Sequence, residues 1–162
     1  YLAQHSDVVL VSFHAGAEGA KAQHVLRKDE LFYNQNRGNV YAFSHAMIDA
    51  GASVVFGHGP HVTRAVELYK NKFIAYSLGN FCTYGQFNLK GPNGVAPLIK
   101  VYTTPKGDFI KADVVSIKQE GEGGPVLDPE HKAFEFLKTL TQEDFPETPL
   151  RFENHQYILK QN

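Results

Sequence analysis

The sequence predicts an α/β fold in which a parallel βαβ core continues into antiparallel hairpins. Three observations carry this. Two short β-branched runs, Asp7 to Phe13 and Ser53 to Phe56, enclose a stretch with helical spacing, and each run ends at a turn bearing Gly and His. Beyond Arg64 the pattern changes to apolar segments paired around short polar turns, the mark of hairpins. At 162 residues the chain has one domain's length, and a domain of that size buries roughly 68–70% of its unfolded surface.

The opening residues, Tyr1 to Ser6, read as the end of a helix running directly into a strand. They have neither the basic flank nor the apolar core of a signal peptide. With no initial Met, the expectation is a piece of a longer protein whose export signal or anchor lies elsewhere. Asp7 to Phe13 has the continuous apolar character of a strand covered on both faces of a parallel sheet. His14-Ala15-Gly16 ends it, and residues 20–37 are polar and without period. From Asn39 to Ala50, Val40, Phe43, Met47 and Ala50 keep helical spacing, Ala46 fills the same face, and Gly51 follows as a stop. Ser53 to Phe56 is the second strand, broken by Gly57-His58-Gly59-Pro60-His61. Strand, helix and strand in this order make a right-handed βαβ unit.

Arg64 to Tyr69 and Phe73 to Leu78 then form a hairpin about Lys70-Asn71-Lys72. Gly79 to Gly94 is too long for a passive connector. Val95 to Thr103 and Phe109 to Lys118 make a second hairpin, and 120–125 is a Gly-rich flexible link. Asp128-Pro129 offers an N-cap and a proline at the first helical position. That helix is expected to run to about Leu140 with Ala133, Phe134, Leu137 and Leu140 inward. A final strand is expected near Arg151 to Leu159. There is no internal repeat and no second domain.

Composition narrows the function. A formal charge of −1 and a pI near 6.8 give no basic excess for a nucleic-acid backbone and no polybasic run for anionic lipid. The longest apolar runs fall far short of the ~20 residues of a membrane helix. The single Cys82 cannot form an internal disulfide and reads as an inert, buried thiol rather than a nucleophile. Eight His beside one Cys direct any metal site toward nitrogen and oxygen donors.

Ligands in open α/β sheets bind outside the carboxyl ends of the strands. His14 ends the first strand, and His58 and His61 follow the second, so the crossover brings all three to one edge. Neutral imidazole suits zinc, iron and related ions. Gly57 and Gly59 allow sharp turns between the ligands, and Pro60 stiffens them. Glu18 stands as a carboxylate ligand or as a group orienting His14. Ser77 and Asn80 are candidates for the wall of the site. Arg64 faces an anionic substrate or makes a surface salt bridge. A Ser–His nucleophile lacks its Gly-x-Ser-x-Gly elbow, and Gly121, Gly123 and Gly124 do not have dinucleotide-loop spacing.

His14-Ala15-Gly16-Ala17-Glu18, Asp49-Ala50-Gly51-Ala52, Gly57-His58-Gly59-Pro60-His61-Val62 and Tyr76-Ser77-Leu78-Gly79-Asn80-Phe81 occur in that order. Over residues 5 to 115 the sequence resembles the capsule-synthesis CapA (PgsA) family, which is associated with poly-γ-glutamate and is similar in fold to calcineurin-like metallophosphoesterases. The resemblance implies the C-terminal half of a metallophosphoesterase-like α/β sandwich, with His14, His58 and His61 as ligands of a divalent ion (zinc, manganese or iron). The superfold's earlier Asp-x-His, Gly-Asp and Asn-His motifs are absent, so the three His amount to half of a site. What is implied is metal-assisted hydrolysis of a phosphoester or amide by the parent, with a non-catalytic, polymer-binding accessory role as the alternative. The implied partners are an anionic polymer or small-molecule substrate and capsule synthesis or export proteins. The implied setting is a bacterial, membrane-anchored, extracytoplasmic parent.

Two expectations complete the reading. Phe81, Tyr84 and Phe87 in the 79–94 loop either form a wall over an extended polymer or fold back onto the hairpins. The Asp7–Phe13 edge, lacking the other half, recruits a further strand by self-association or from a partner chain.

Overall fold

The computed structural model describes residues 1–85, 87–120 and 124–159. Half of the link expected at 120–125, residues 121–123 with Gly121 and Gly123, lies outside these residues. A single helical turn, α1 (Leu2–His5), leads into β1 (Leu10–His14). The polar stretch that follows contains a 3₁₀ turn (Ala20–Ala22) and a small hairpin, β2 (Leu31–Phe32) and β3 (Gln35–Asn36). Helix α2 (Val40–Asp49) comes next, its first turn capped by Asn39, whose side chain accepts from the Ala42 amide at 2.9 Å. Strand β4 (Val54–His58) pairs parallel to β1, so the βαβ unit forms as the apolar pattern predicts.

Strands β5 (Val66–Tyr69) and β6 (Lys72–Ala75) form the first hairpin through Lys70 and Asn71, both at positive φ. Those two left-handed residues are what a two-residue turn of the favoured twist needs. The four-stranded sheet runs β1-β4-β6-β5. The second sheet is antiparallel and built on β7 (Val95–Thr103) and β8 (Phe109–Lys118). It also takes in β9 (Val126–Leu127), β10 (Leu150–Glu153) and β11 (Gln156–Leu159), while α3 (Lys132–Asp144) packs against it. The fold is therefore mixed α/β, with parallel and antiparallel pairing.

Alternate residues of the first sheet enter two apolar clusters, as the two-residue period of a strand requires. Val54, Phe73 and Ala75 pack with Phe109, Ala112, Val114 and Phe134 of the second sheet and α3. Val55, Ile74 and Tyr76 pack on the opposite face with Val40, Ile48 and Phe145.

Four expectations change. The first strand begins at Leu10 and is not covered on both faces: Leu10 is 64% exposed, and Phe13 is its one buried residue. Among the described residues β1 pairs with β4 alone, so its outer edge is open. Of the face expected for α2, Val40 is buried and Met47 packs partly buried on the core, but Phe43, Ala46 and Ala50 are exposed and Ser44 and Ile48 take the buried places. Asp128 accepts from the Glu130 and Lys132 amides, but the helix it prepares begins at Lys132, after His131 in the left-handed region, and continues to Asp144. Its inward residues Ala133, Phe134, Leu137 and Leu140 are buried as expected. The last element is two strands, turning at Asn154 and His155.

Candidate functional site

The parallel register places His14 directly beside His58 at the carboxyl ends of β1 and β4. The ladder continues one step further, since the Ala15 amide donates to the His58 carbonyl at 3.0 Å. Two glycines make this approach possible. A Cβ on Gly57 would collide with the Tyr76 carbonyl and lie 2.7 Å from Phe13. A Cβ on Gly59, at φ +116°, would lie 2.9 Å from the Ala15 carbonyl and 3.1 Å from the His14 ring. Burial, and then the neighbouring His14, hold the His58 imidazole below its ordinary protonation range. An apolar cavity of about 430 Å³ adjoins His58, lined by Ser12 and Phe56 of the first sheet, Pro97 and Leu98 of the second, and Phe81.

His61, three residues past His58, sits at φ +57°, where a non-glycine residue needs outside support. Its carbonyl accepts from Asn80 Nδ2 at 3.2 Å and Asn93 Nδ2 at 3.1 Å. Its Nδ1 lies 2.8 Å from Asn80 Oδ1, and its ring lies 5.3 Å from that of Phe87. With Glu18, Asn80, Phe87 and Asn93 it lines a second cavity of about 400 Å³, at whose rim Tyr33 is 86% exposed.

The carboxylate of Glu18 pairs with Arg37 rather than serving His14. Arg64 neither faces a substrate nor makes a surface salt bridge. It is fully buried and holds Glu30 through two hydrogen bonds of 2.8 and 2.9 Å. It also donates to the carbonyls of Ala22 at 2.7 Å and Ala17 at 3.1 Å. Glu30 in turn accepts from the Ala17 amide at 2.7 Å. This ion pair is the internal anchor of the loop carrying Glu18. Ser77 is buried with its Oγ 3.4 Å from the Gly79 amide, so it lies beneath the turn that positions Asn80. Cys82, expected to be buried, is exposed.

His14 and His58 are thus brought together, with His61 held against Asn80 further along the same loop. Among the described residues, no group of three His, Cys, Asp or Glu side chains is placed to hold a metal ion. Phe81, Tyr84 and Phe87 are 46%, 79% and 47% exposed, so they do not fold back fully onto the hairpins. Sequence reasoning missed Glu30 and Asn93. Asn93 carried a faint signal in its Gly-Pro-Asn-Gly turn, and Glu30, in a polar stretch without period, carried none.

A strand-end His pair beside glycine-tightened loops on a mixed α/β fold defines the class, and comparison with known proteins narrows it. The family described as bacterial capsule synthesis protein PGA_cap matches residues 2–84, which span β1 to β6 and both His-bearing loops. The chain belongs to this family. The capsule biosynthesis protein CapA of Bacillus anthracis is 33% identical over 124 residues, covering 75% of this chain and 26% of the relative. The PGA biosynthesis protein CapA of Bacillus subtilis is 36% identical over 78 residues, 48% of this chain and 17% of the relative. A probable polyglutamine synthesis accessory protein of Mycobacterium tuberculosis is 35% identical over 74 residues, 46% and 16% of the two chains. The chain therefore spans about a quarter or less of these relatives. Among the described residues, no helix is long and apolar enough to cross a membrane.

Proposed function

We propose that this chain contributes the imidazole-bearing part of a divalent-metal site, for zinc, manganese or iron, in a hydrolase of capsule-polymer synthesis. The bond cut would be a phosphoester or an amide. The observation that carries this reading is the pairing of His14 with His58 across adjacent parallel strand ends. Side-by-side imidazoles at that place have the donor chemistry of such an ion. They fit it as part of a donor set, because a two-metal hydrolytic centre also needs carboxylates, and these would come from beyond the described residues. When bound, the ion would supply Lewis-acid polarisation of the scissile group. The chain's own residues do the rest: His14 and His58 hold, Gly57 and Gly59 let the two loops meet, and Asn80 orients His61 to hold or pass a proton. The cavity beside His58 offers an apolar surface, with Phe56, Phe81 and Leu98, against which a substrate could lie.

The parent is read as a metallophosphoesterase-like sandwich of which this is the C-terminal half. Among the described residues β1 and β7 each have one open edge, and residues of both strands line the same apolar cavity. Strands from the rest of a longer protein would extend both sheets there, or a second copy would pair along β1. Such a parent would be bacterial, membrane-anchored and extracytoplasmic, working with capsule synthesis and export proteins on an anionic polymer.

A polymer-binding accessory role is the second reading. The exposed Tyr33, Tyr84 and Phe87 in the loops around His61 favour it. Calorimetric titration of Zn²⁺ and Mn²⁺ separates the two when combined with phosphodiester and amide turnover by the full-length protein. Metal binding and turnover lost together in His14→Ala and His58→Ala support the hydrolase. Polymer binding without metal uptake or turnover supports the accessory role.

A further inference from the structure

We infer that Asn80 is a positioning residue that fixes His61 as its Nδ1–H tautomer, which assigns Nε2 as the atom through which this imidazole meets a ligand or a proton. An asparagine amide has a donating and an accepting end, and the surroundings of Asn80 leave no choice between them. Its nitrogen lies 3.2 Å from the His61 carbonyl and 3.1 Å from the Asn93 carbonyl. Both carbonyls can only accept, so the NH₂ group belongs on that side. Oδ1 then faces His61 Nδ1 at 2.8 Å. Because Oδ1 can only accept, Nδ1 carries the hydrogen, and the neutral ring keeps its lone pair on Nε2.

Solvated histidine favours the opposite tautomer, so the protein is imposing this one. It can do so because Asn80 and Asn93 are 4% and 6% exposed, which keeps water from competing for the same bonds. The backbone supports the arrangement, since the left-handed His61 offers its carbonyl to both amides at once. The assignment does not depend on the hydrolase reading. It holds equally for a ring that binds a metal ion and for one that exchanges a proton with a ligand in the adjoining cavity.

Long-range ¹H–¹⁵N correlation spectra of the ¹⁵N-labelled 162-residue chain, recorded above the imidazole protonation range, read the tautomer of each ring. His61→Gln identifies the His61 signals. His61 is expected with a protonated Nδ1 and a bare Nε2. Asn80→Ala should shift the ring toward the Nε2–H form of solvated histidine. Hydrogen on Nε2 in the wild type overturns the assignment, as does an unchanged ring in a folded Asn80→Ala. Should Asn80→Ala fail to fold, the wild-type spectrum decides alone.

Discussion

Replacing Arg64 by Met removes a cation that is fully buried and leaves Glu30 at 2% exposure. The carboxylate loses both guanidinium hydrogen bonds and keeps the Ala17 amide, while the carbonyls of Ala17 and Ala22 each lose a donor. Breaking a buried pair from one side costs about 3–5 kcal/mol, because the remaining charge is left uncompensated. Against a total stability of roughly 5–15 kcal/mol, that is a large fraction. In a chain of this size it lowers Tm by roughly 6–20 °C. Removing both charges in Arg64→Met/Glu30→Met should cost less than Arg64→Met alone, since no orphan charge remains. Urea unfolding of the wild type, both single variants and the double variant gives the cycle directly. A single-variant loss below about 1 kcal/mol, or a double variant as unstable as the sum of the singles, would refute a buried, mutually dependent pair.

Gly57→Ala puts a methyl group against the Tyr76 carbonyl and Phe13, so a loss of about 3 kcal/mol or more is expected; a Tm within a degree of wild type would show that the strands can part. His45→Ala removes the imidazole held 2.9 Å from Glu67 and stacked 3.7 Å from Tyr69. Glu67 keeps the Tyr76 hydroxyl, which burial and then the Glu67 charge hold protonated, and the expected loss by urea unfolding is about 2 kcal/mol. A loss below half of that would mean that Tyr76 alone satisfies the carboxylate. Leu10→Lys changes an exposed position on the open edge of β1. It should shift the chain toward monomer in sedimentation velocity without lowering Tm, whereas an unchanged distribution would move any self-association elsewhere.

The βαβ unit was legible because two apolar runs and a periodic helix leave few other ways to bury them. The strand-end positions of His14 and His58 followed from that unit. What escaped has a common cause, which is dependence on partners distant in sequence. Asp7 to Phe13 reads as a doubly covered strand, and apolar content does not reveal whether this chain or other residues cover it. Phe43 fits the helical period as well as Ser44 does, and period alone does not say which of the two the sheet covers. Arg64 has no local spacing rule linking it to Glu30, so its charge looked like a surface feature. The Asn80 clamp on His61 likewise joins two loops whose meeting only the folded chain reveals. Asn154-His155 is a turn whose signal lies in two left-handed residues, neither of them glycine.

The adjacency of His14 and His58 also sets where this chain tolerates a change of length. Their pairing is counted off along the ladder that starts with Leu10 opposite Val54. Deleting one residue within Leu10–Phe13 would turn His14 to the other face, because side chains alternate with every step. Adding residues at Tyr33-Asn34, the exposed turn between β2 and β3, leaves that count untouched and costs little closure entropy. A library of single-codon insertions and deletions should therefore be sharply intolerant in β1 and β4 and permissive at that turn.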